Sequence, residues 1–393
     1  MKRWKIFLPF LLLALSLCAC GETSPDQPDE PAQPEPSDQA EAQPLTWDSL
    51  NWDEHLELTY AQSFAVDYAQ YGFARITIDG IVHLLVPEDL EAPADTPEDV
   101  VILQQPLDNI YLQATAAMDC FRKLDAIDVI TMSGTQADGW YIPEAREAME
   151  SGAMVYAGKY SAPDYELIVD KGCDLALEST MIYHTPEVKE QLERFGVPVM
   201  VERSSYESHP LGRMEWIKLY GVLLDREDEA EAYFNEQLEH LTPVLEQEST
   251  GKTVAFFSVT SNGSVTVRKS GDYIAKAIGL AGGVYILQDL TEEENALSTM
   301  NIQMETFYDA ARDADILIYN STIEADMETI EQLIAKSAPL ADFKAVQSGD
   351  VWCTGKSMFQ EAQSVGEMIL DIHSILTDGK DADGSLTYLH RLT

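Results

Sequence analysis

Basic residues are scarce in this chain: 25 Lys and Arg stand against 68 Asp and Glu, a formal net charge of −43. A surface this acidic repels phosphate backbones, so nucleic acid is excluded as a partner, although a local basic pocket is not. Cysteine is also rare. Of the five, two lie in the first twenty positions, and Cys120, Cys173 and Cys353 are too widely spaced for a disulfide framework or a zinc pattern. Each is expected to be a small buried apolar residue. No HExxH, no GxSxG and no phosphate-binding glycine loop occurs, which removes the common hydrolase and nucleotide signatures. Internal repeats are absent beyond a similarity of pattern between two halves.

What is present begins with MKRWKIFLPFLLLALSLCAC. Lys2, Arg3 and Lys5 precede an apolar run from Ile6 to Leu17 that is too short to cross ~30 Å of hydrocarbon, so it reads as an export signal, residues 1–19. Leu17-Cys18-Ala19-Cys20 resembles the lipobox of bacterial lipoproteins, which implies lipid attachment at Cys20 and a location on the outer face of the cell membrane. Residues 20–46, rich in Pro, Glu, Asp and Gln, bury too little apolar surface to offset ordering entropy and read as a disordered acidic tether. The length of the tether leans toward a single-membrane cell.

The body is 45% hydrophobic, enough for two cores. Residues 47–98 form an extension with a β-hairpin. Asp79-Gly80 supplies the positive φ of a two-residue turn between strands at about 73–78 and 81–86, with His83 an ordinary strand residue. From Val100 strands and helices alternate: VVIL, IYLQATAAMDCFRKL, IDVITM, PEAREAMESG, PDYELIVDK, DLALES, a helix opened by Thr185-Pro186-Glu187, and VPVMVE. This predicts a parallel α/β lobe over 99–209, with any ligand outside the carboxyl ends of its strands. Residues 210–224 predict one helix that is apolar on most faces and joins two lobes. A second lobe, 225–393, follows with the strands TVAFFSV, DADILIY and SGDVWCTG, a helix from Tyr273 to Leu280, and a closing helix from Ala362 to Leu376. The fold class is therefore α/β: two Rossmann-like lobes joined by a single long helix, with a ligand cleft between them.

The segments IYLQATAAMDCFRKLDAIDVITMSG, PDYELIVDKGCDLALES, HPLGRMEWIKLYGVLLDREDEAEAYF, GDYIAKAIGLAGG and ADILIYN, in this order and spacing, resemble the substrate-binding lipoproteins of ABC importers. Within these the chain is similar to the helical-backbone class that captures ferric siderophores, haem or cobalamin. The resemblance implies a non-enzymatic monomer that needs no cofactor, and delivers a metal chelate to a membrane permease and its ATPase. It also implies permease docking by an acidic residue on each lobe. Asp119 matches the first; Lys276 occupies the second, with Asp272 or Glu215 as possible substitutes.

The aromatic and cationic side chains near the strand ends give the expected cleft lining: Trp140, Tyr183, His184, Tyr206, His209 and Arg213 from one side, with Arg268, Tyr319, Trp352 and Lys356 from the other. Flat rings suit a macrocycle or catechols, and guanidinium groups suit carboxylates or an anionic chelate. A bare metal ion is a second reading, which needs three or four converging His, Asp or Glu ligands where only His184 and His209 are suitably placed. A metal-assisted surface hydrolase using those histidines and Glu178, or a surface adhesion or sensor module, rests on residue types alone.

Overall fold

The computed structural model describes residues 45–290, 299–322, 327–382 and 384–393. The expected export signal, lipid-bearing Cys20 and most of the tether lie outside these residues.

Residues 45–104 build a sheet of their own in the order β1-β2-β3-β4-β5. Its strands are β1 (Glu54–His55), β2 (Phe64–Tyr68), β3 (Ala74–Ile78), β4 (Ile81–Val86) and β5 (Val101–Gln104). The β3–β4 hairpin turns at Asp79 (φ 52°) and Gly80 (φ 78°), as the Asp-Gly pair predicts. Alternation then fixes the faces: Phe64, Val66, Ile76 and Ile78 point into the core, while Ala65 is exposed and Thr77 half-buried. One expectation changes here. VVIL is not the first strand of the following lobe; it pairs in parallel with β4 as the edge of the extension sheet.

The first lobe has a wholly parallel sheet in the order β12-β11-β6-β7-β8. In chain order its elements are β6 (Ile110–Leu112), α1 (Met118–Lys123), β7 (Ile130–Ser133), α2 (Pro143–Ser151), β8 (Val155–Tyr156), the short hairpin of β9 (Gly158–Lys159) and β10 (Ala162–Pro163), α3 (Tyr165–Asp170), β11 (Leu175–Ser179), α4 (Pro186–Arg194) and β12 (Val199–Glu202). Local chemistry accounts for the helix starts. Asp164 caps α3 by accepting from Leu167 N, and Pro143 and Pro186 open α2 and α4 at positions where a missing N–H costs nothing.

The predicted single joining helix is instead two consecutive segments, α5 (Pro210–Glu215) and α6 (Ile217–Leu223). Trp216 between them keeps right-handed helical angles (φ −58°, ψ −20°), but Leu219 N reaches back only three residues to its carbonyl (3.0 Å), a tightened turn. Its indole explains the break, because it is pinned elsewhere: Nε1 donates to Glu207 Oε1 at 2.9 Å and the ring meets Phe64 of the extension edge-on at 4.9 Å. Asp225 then takes positive φ (55°), and α7 (Glu227–Leu245) packs back on α6.

The second lobe contains β13 (Thr253–Val259), β14 (Val265–Arg268), α8 (Tyr273–Leu280), β15 (Val284–Tyr285), β16 (Thr299–Ile302), α9 (Met304–Ala311), β17 (Ile316–Tyr319), α10 (Ile330–Lys336), α11 (Lys344–Ser348), β18 (Val351–Thr354), α12 (Val365–Thr377) and β19 (Leu389–Arg391). Its sheet runs β16-β14-β13-β17-β18-β19, with β15 also on β13. The β13-β17-β18 centre is parallel and its flanks antiparallel. The central strands are apolar along their length, as strands covered on both faces must be. Cys120, Cys173 and Cys353 are buried thiols, as expected.

Candidate functional site

The carboxyl ends of the parallel strands deliver a row of exposed side chains on the first lobe. Tyr206 follows β12, Met181 and Tyr183 follow β11, Tyr141 follows β7, and Tyr156 ends β8; each is 39–44% exposed, unusual for residues of this size. Adjacent loops are tied together, since the Tyr206 hydroxyl donates to Thr180 Oγ1 at 3.4 Å. The Arg203 guanidinium lies 4.5 Å from the Tyr206 ring centre. His184 is exposed beside Tyr183 in the same short 3₁₀ helix.

From the second lobe, the loop after β18 reaches across. Gln360 Oε1 accepts from Tyr141 N and its Nε2 donates to Gly139 O, both at 2.7 Å. Lys356 Nζ stands 5.9 Å from the Tyr141 ring centre. Arg122 pairs with Glu361 at 3.1 Å. Behind this seam Arg213 lies 3.9 Å over the Tyr273 ring, and Arg268, paired with Asp272 at 3.4 Å, approaches the same ring at 6.0 Å. A cavity of about 10 Å³ lined by Arg213, Tyr273, Glu361, Ser364, Met368 and Tyr388 remains there, roughly enough for one water.

The expected lining therefore divides. Tyr183, His184, Tyr206 and Lys356 stand at the strand-end faces. Arg213, on α5 of the joining segment, and Arg268, at the end of β14, are brought together, though both are mostly buried. His209 is half-buried and engaged: Nδ1 accepts from Leu211 N at 3.2 Å to cap α5, and its ring stacks on Tyr60 at 5.0 Å. Burial and the nearby Lys276 lower its pKa. Three residues do not line a cleft. Trp140, Tyr319 and Trp352 are sealed in the core at 0% exposure. The Trp140 indole turns inward to donate to Ser133 Oγ at 3.3 Å, and the other two lie on central strands whose faces are both covered.

The docking expectation is also corrected. Asp119 is 0% exposed, paired with Arg122 at 2.6 Å and accepting from Gln363 N at 2.9 Å, so it presents no charge to an outside partner. Neither proposed substitute for the second position is available. Asp272 caps α8 through Ile274 N at 2.9 Å and pairs with Arg268, while Glu215 is buried among the amides of Thr59, Tyr60 and Ala61.

Sequence reasoning marks the strand ends that carry Tyr141, Tyr156 and Met181 as ligand-facing but leaves these three, and Gln360, out of the expected lining. Tyr156 ends β8, Met181 lies two residues past β11, and Tyr141 lies on the longer loop after β7; Gln360 carries no comparable signal. Among the described residues no group of three or more His, Cys, Asp or Glu is arranged to hold a metal ion. Glu178, on β11, is buried with neither carboxylate oxygen hydrogen-bonded, and burial pushes its pKa up to about 8.

A family model described as Periplasmic binding protein matches residues 122–357, and the chain belongs to that family. An uncharacterized lipoprotein of Methanocaldococcus jannaschii is 25% identical over 245 residues, 60% of this chain. The match spans only 56% of that relative's length. Among solved structures, a periplasmic heme binding protein from Pseudomonas aeruginosa superposes with a TM-score of 0.55 at 14% identity, covering 73% of this chain and 98% of that one. The periplasmic catecholate-siderophore binding protein VctP from Vibrio cholerae gives 0.54 at 12% identity, covering 69% and 95%. These likenesses bear out the two-lobed α/β fold.

Proposed function

We propose that this chain is the lipid-anchored, extracytoplasmic substrate-binding component of an ABC importer, and that it captures an intact metal chelate, a ferric siderophore, haem or a corrinoid, for a membrane permease and its ATPase. The observation that carries the reading is the exposed row of Tyr141, Tyr156, Met181, Tyr183 and Tyr206, delivered by the ends of four strands, β7, β8, β11 and β12, or the loops after them. Exposed aromatic rings with hydroxyl edges suit a macrocycle or a catechol or hydroxamate cage, and offer little to a bare ion. Arg213, packed over the Tyr273 ring behind it, supplies positive charge in an otherwise acidic protein. The names of the relatives support anchoring: the Methanocaldococcus jannaschii protein is called a lipoprotein, and Cys20 is the attachment residue proposed here. Binding, with no catalysis, is the role that the family membership supports. Intrinsic tryptophan fluorescence of the purified body, titrated with a ferric siderophore, haemin and cobalamin, tests the reading. Saturable quenching by at least one is expected, and flat titrations with all three would sink it.

A further inference from the structure

The extension adds something to this face that the family region, residues 122–357, does not contain. On its outer surface Gln62, Ser63, Ala65, Thr77 and Asp79 line, together with Arg203 of the first lobe, a hollow of about 360 Å³, within the size range of small-molecule sites, roughly 300–1,000 Å³. Ala65 is the reason for the space: it is the small, exposed partner of Thr77 across β2 and β3. Arg203 forms the opposite wall and is held from two sides, by Asp79 Oδ2 at 2.6 Å and by the Tyr206 ring at 4.5 Å. The Asp79-Gly80 turn thus brings the hairpin tip to the edge of the aromatic row. One guanidinium belongs to both.

We propose that this hollow is a second subsite, which takes a neutral arm of the ligand bearing amide or hydroxyl groups; the proposal rests on the chelate-binding reading above. The chemistry follows from the wall. Asp79 cancels the charge of Arg203, so the pair offers fixed donors and acceptors with no net charge, and a neutral polar group loses least on leaving water for it. The Gln62 amide and the Ser63 and Thr77 hydroxyls add groups that can both donate and accept. An anionic arm would meet Asp79 and the field of a chain of formal charge −43. A cationic arm would be opposed by Arg203. A ligand seated on Tyr206 and Tyr183 would extend such an arm past Arg203 into the hollow.

The test titrates wild type, Ala65→Trp and Arg203→Gln with ferrichrome, a neutral ferric trihydroxamate carried on a ring of amides, and with haemin, which has no such arm. Ala65→Trp fills the hollow from an exposed position, and Arg203→Gln removes its charged wall without adding bulk. Wild type is expected to bind ferrichrome, and each variant to weaken that binding at least tenfold; Ala65→Trp, which leaves Arg203 and Tyr206 in place, is expected to keep any haemin affinity within twofold. Equal ferrichrome affinity in all three proteins would overturn the subsite. Haemin binding without ferrichrome binding by the wild type would also overturn it and leave the chelate reading standing. Failure of both ligands, and of cobalamin and a ferric catecholate, would take down the chelate reading and the subsite with it.

Discussion

Tyr141 is 39% exposed while its neighbour Trp140 is sealed, because the loop after β7 turns the indole back onto Ser133 and leaves the phenol at the rim. Trp140→Ala is therefore expected to cost about 3–5 kcal/mol of stability in urea unfolding, the usual price of emptying a packed aromatic site. Tyr141→Ala should leave the urea midpoint nearly unchanged and weaken chelate binding. Nothing in the sequence distinguishes the two, since both are aromatic and both follow the same strand; which one faces water is decided by packing partners. Two buried titratable groups give a pH dependence. Burial raises the Glu178 carboxyl from 4.5 to about 8 and lowers the His83 imidazole from 6.5 to about 4. Between pH 4.5 and 8 the folded protein keeps the Glu178 proton that the unfolded chain has lost, so this group's contribution falls as pH rises through that window. His83 acts in the opposite sense: its contribution is complete above pH 6.5 and is lost as pH falls toward 4. From pH 6.5 to 8 only Glu178 of the two still acts, with a slope of up to about 1.4 kcal/mol per pH unit. Glu178→Gln should flatten that slope and raise stability at pH 8 relative to wild type. Urea midpoints at pH 6.5 and 8 check it, and an unchanged slope would mean that Glu178 is not buried as an acid.

Elements formed by short-range signals were legible in the sequence. The Asp79-Gly80 turn, the β13 strand and the proline starts of α2 and α4 need only neighbours along the chain. The joining helix was less so, because its shape depends on a segment far away: Thr59 N donates to Glu215 Oε1 at 2.9 Å across 156 residues of sequence. Tyr60 and Ala61 donate to the same carboxylate at 2.7 and 2.8 Å, and Gln62 and Ser63 donate to Glu207 at 3.0 and 2.8 Å. The extension is thereby strapped across α5 and the loop before it. Removing a buried acceptor leaves its donors unsatisfied at about 1–3 kcal/mol each. Glu215→Ala should accordingly cost about 3 kcal/mol or more in urea unfolding, and hydrogen exchange at Thr59, Tyr60 and Ala61 should speed up while β13 and β17 remain protected. Unchanged exchange at those three amides would show that the strap does not depend on Glu215.

For the whole molecule, alternating elements and the order of the segments were enough to place two α/β lobes and a helical crossing between them. The candidate site was legible only in part. Strand-end position found the row that includes Tyr183 and Tyr206, but it could not show that Gln360 spans the lobes, that Arg213 and Arg268 meet at Tyr273, or that Asp119 is turned inward to Arg122 and Gln363. Each of those depends on contacts between residues far apart along the chain. The central claim is that the face so assembled holds an intact chelate. Native mass spectrometry of the purified body, incubated in turn with a ferric siderophore, haemin and cobalamin, tests this most directly. A one-to-one adduct that carries metal and organic ligand together is expected with at least one of them. Adducts with none, or uptake of the metal stripped of its ligand, would contradict it.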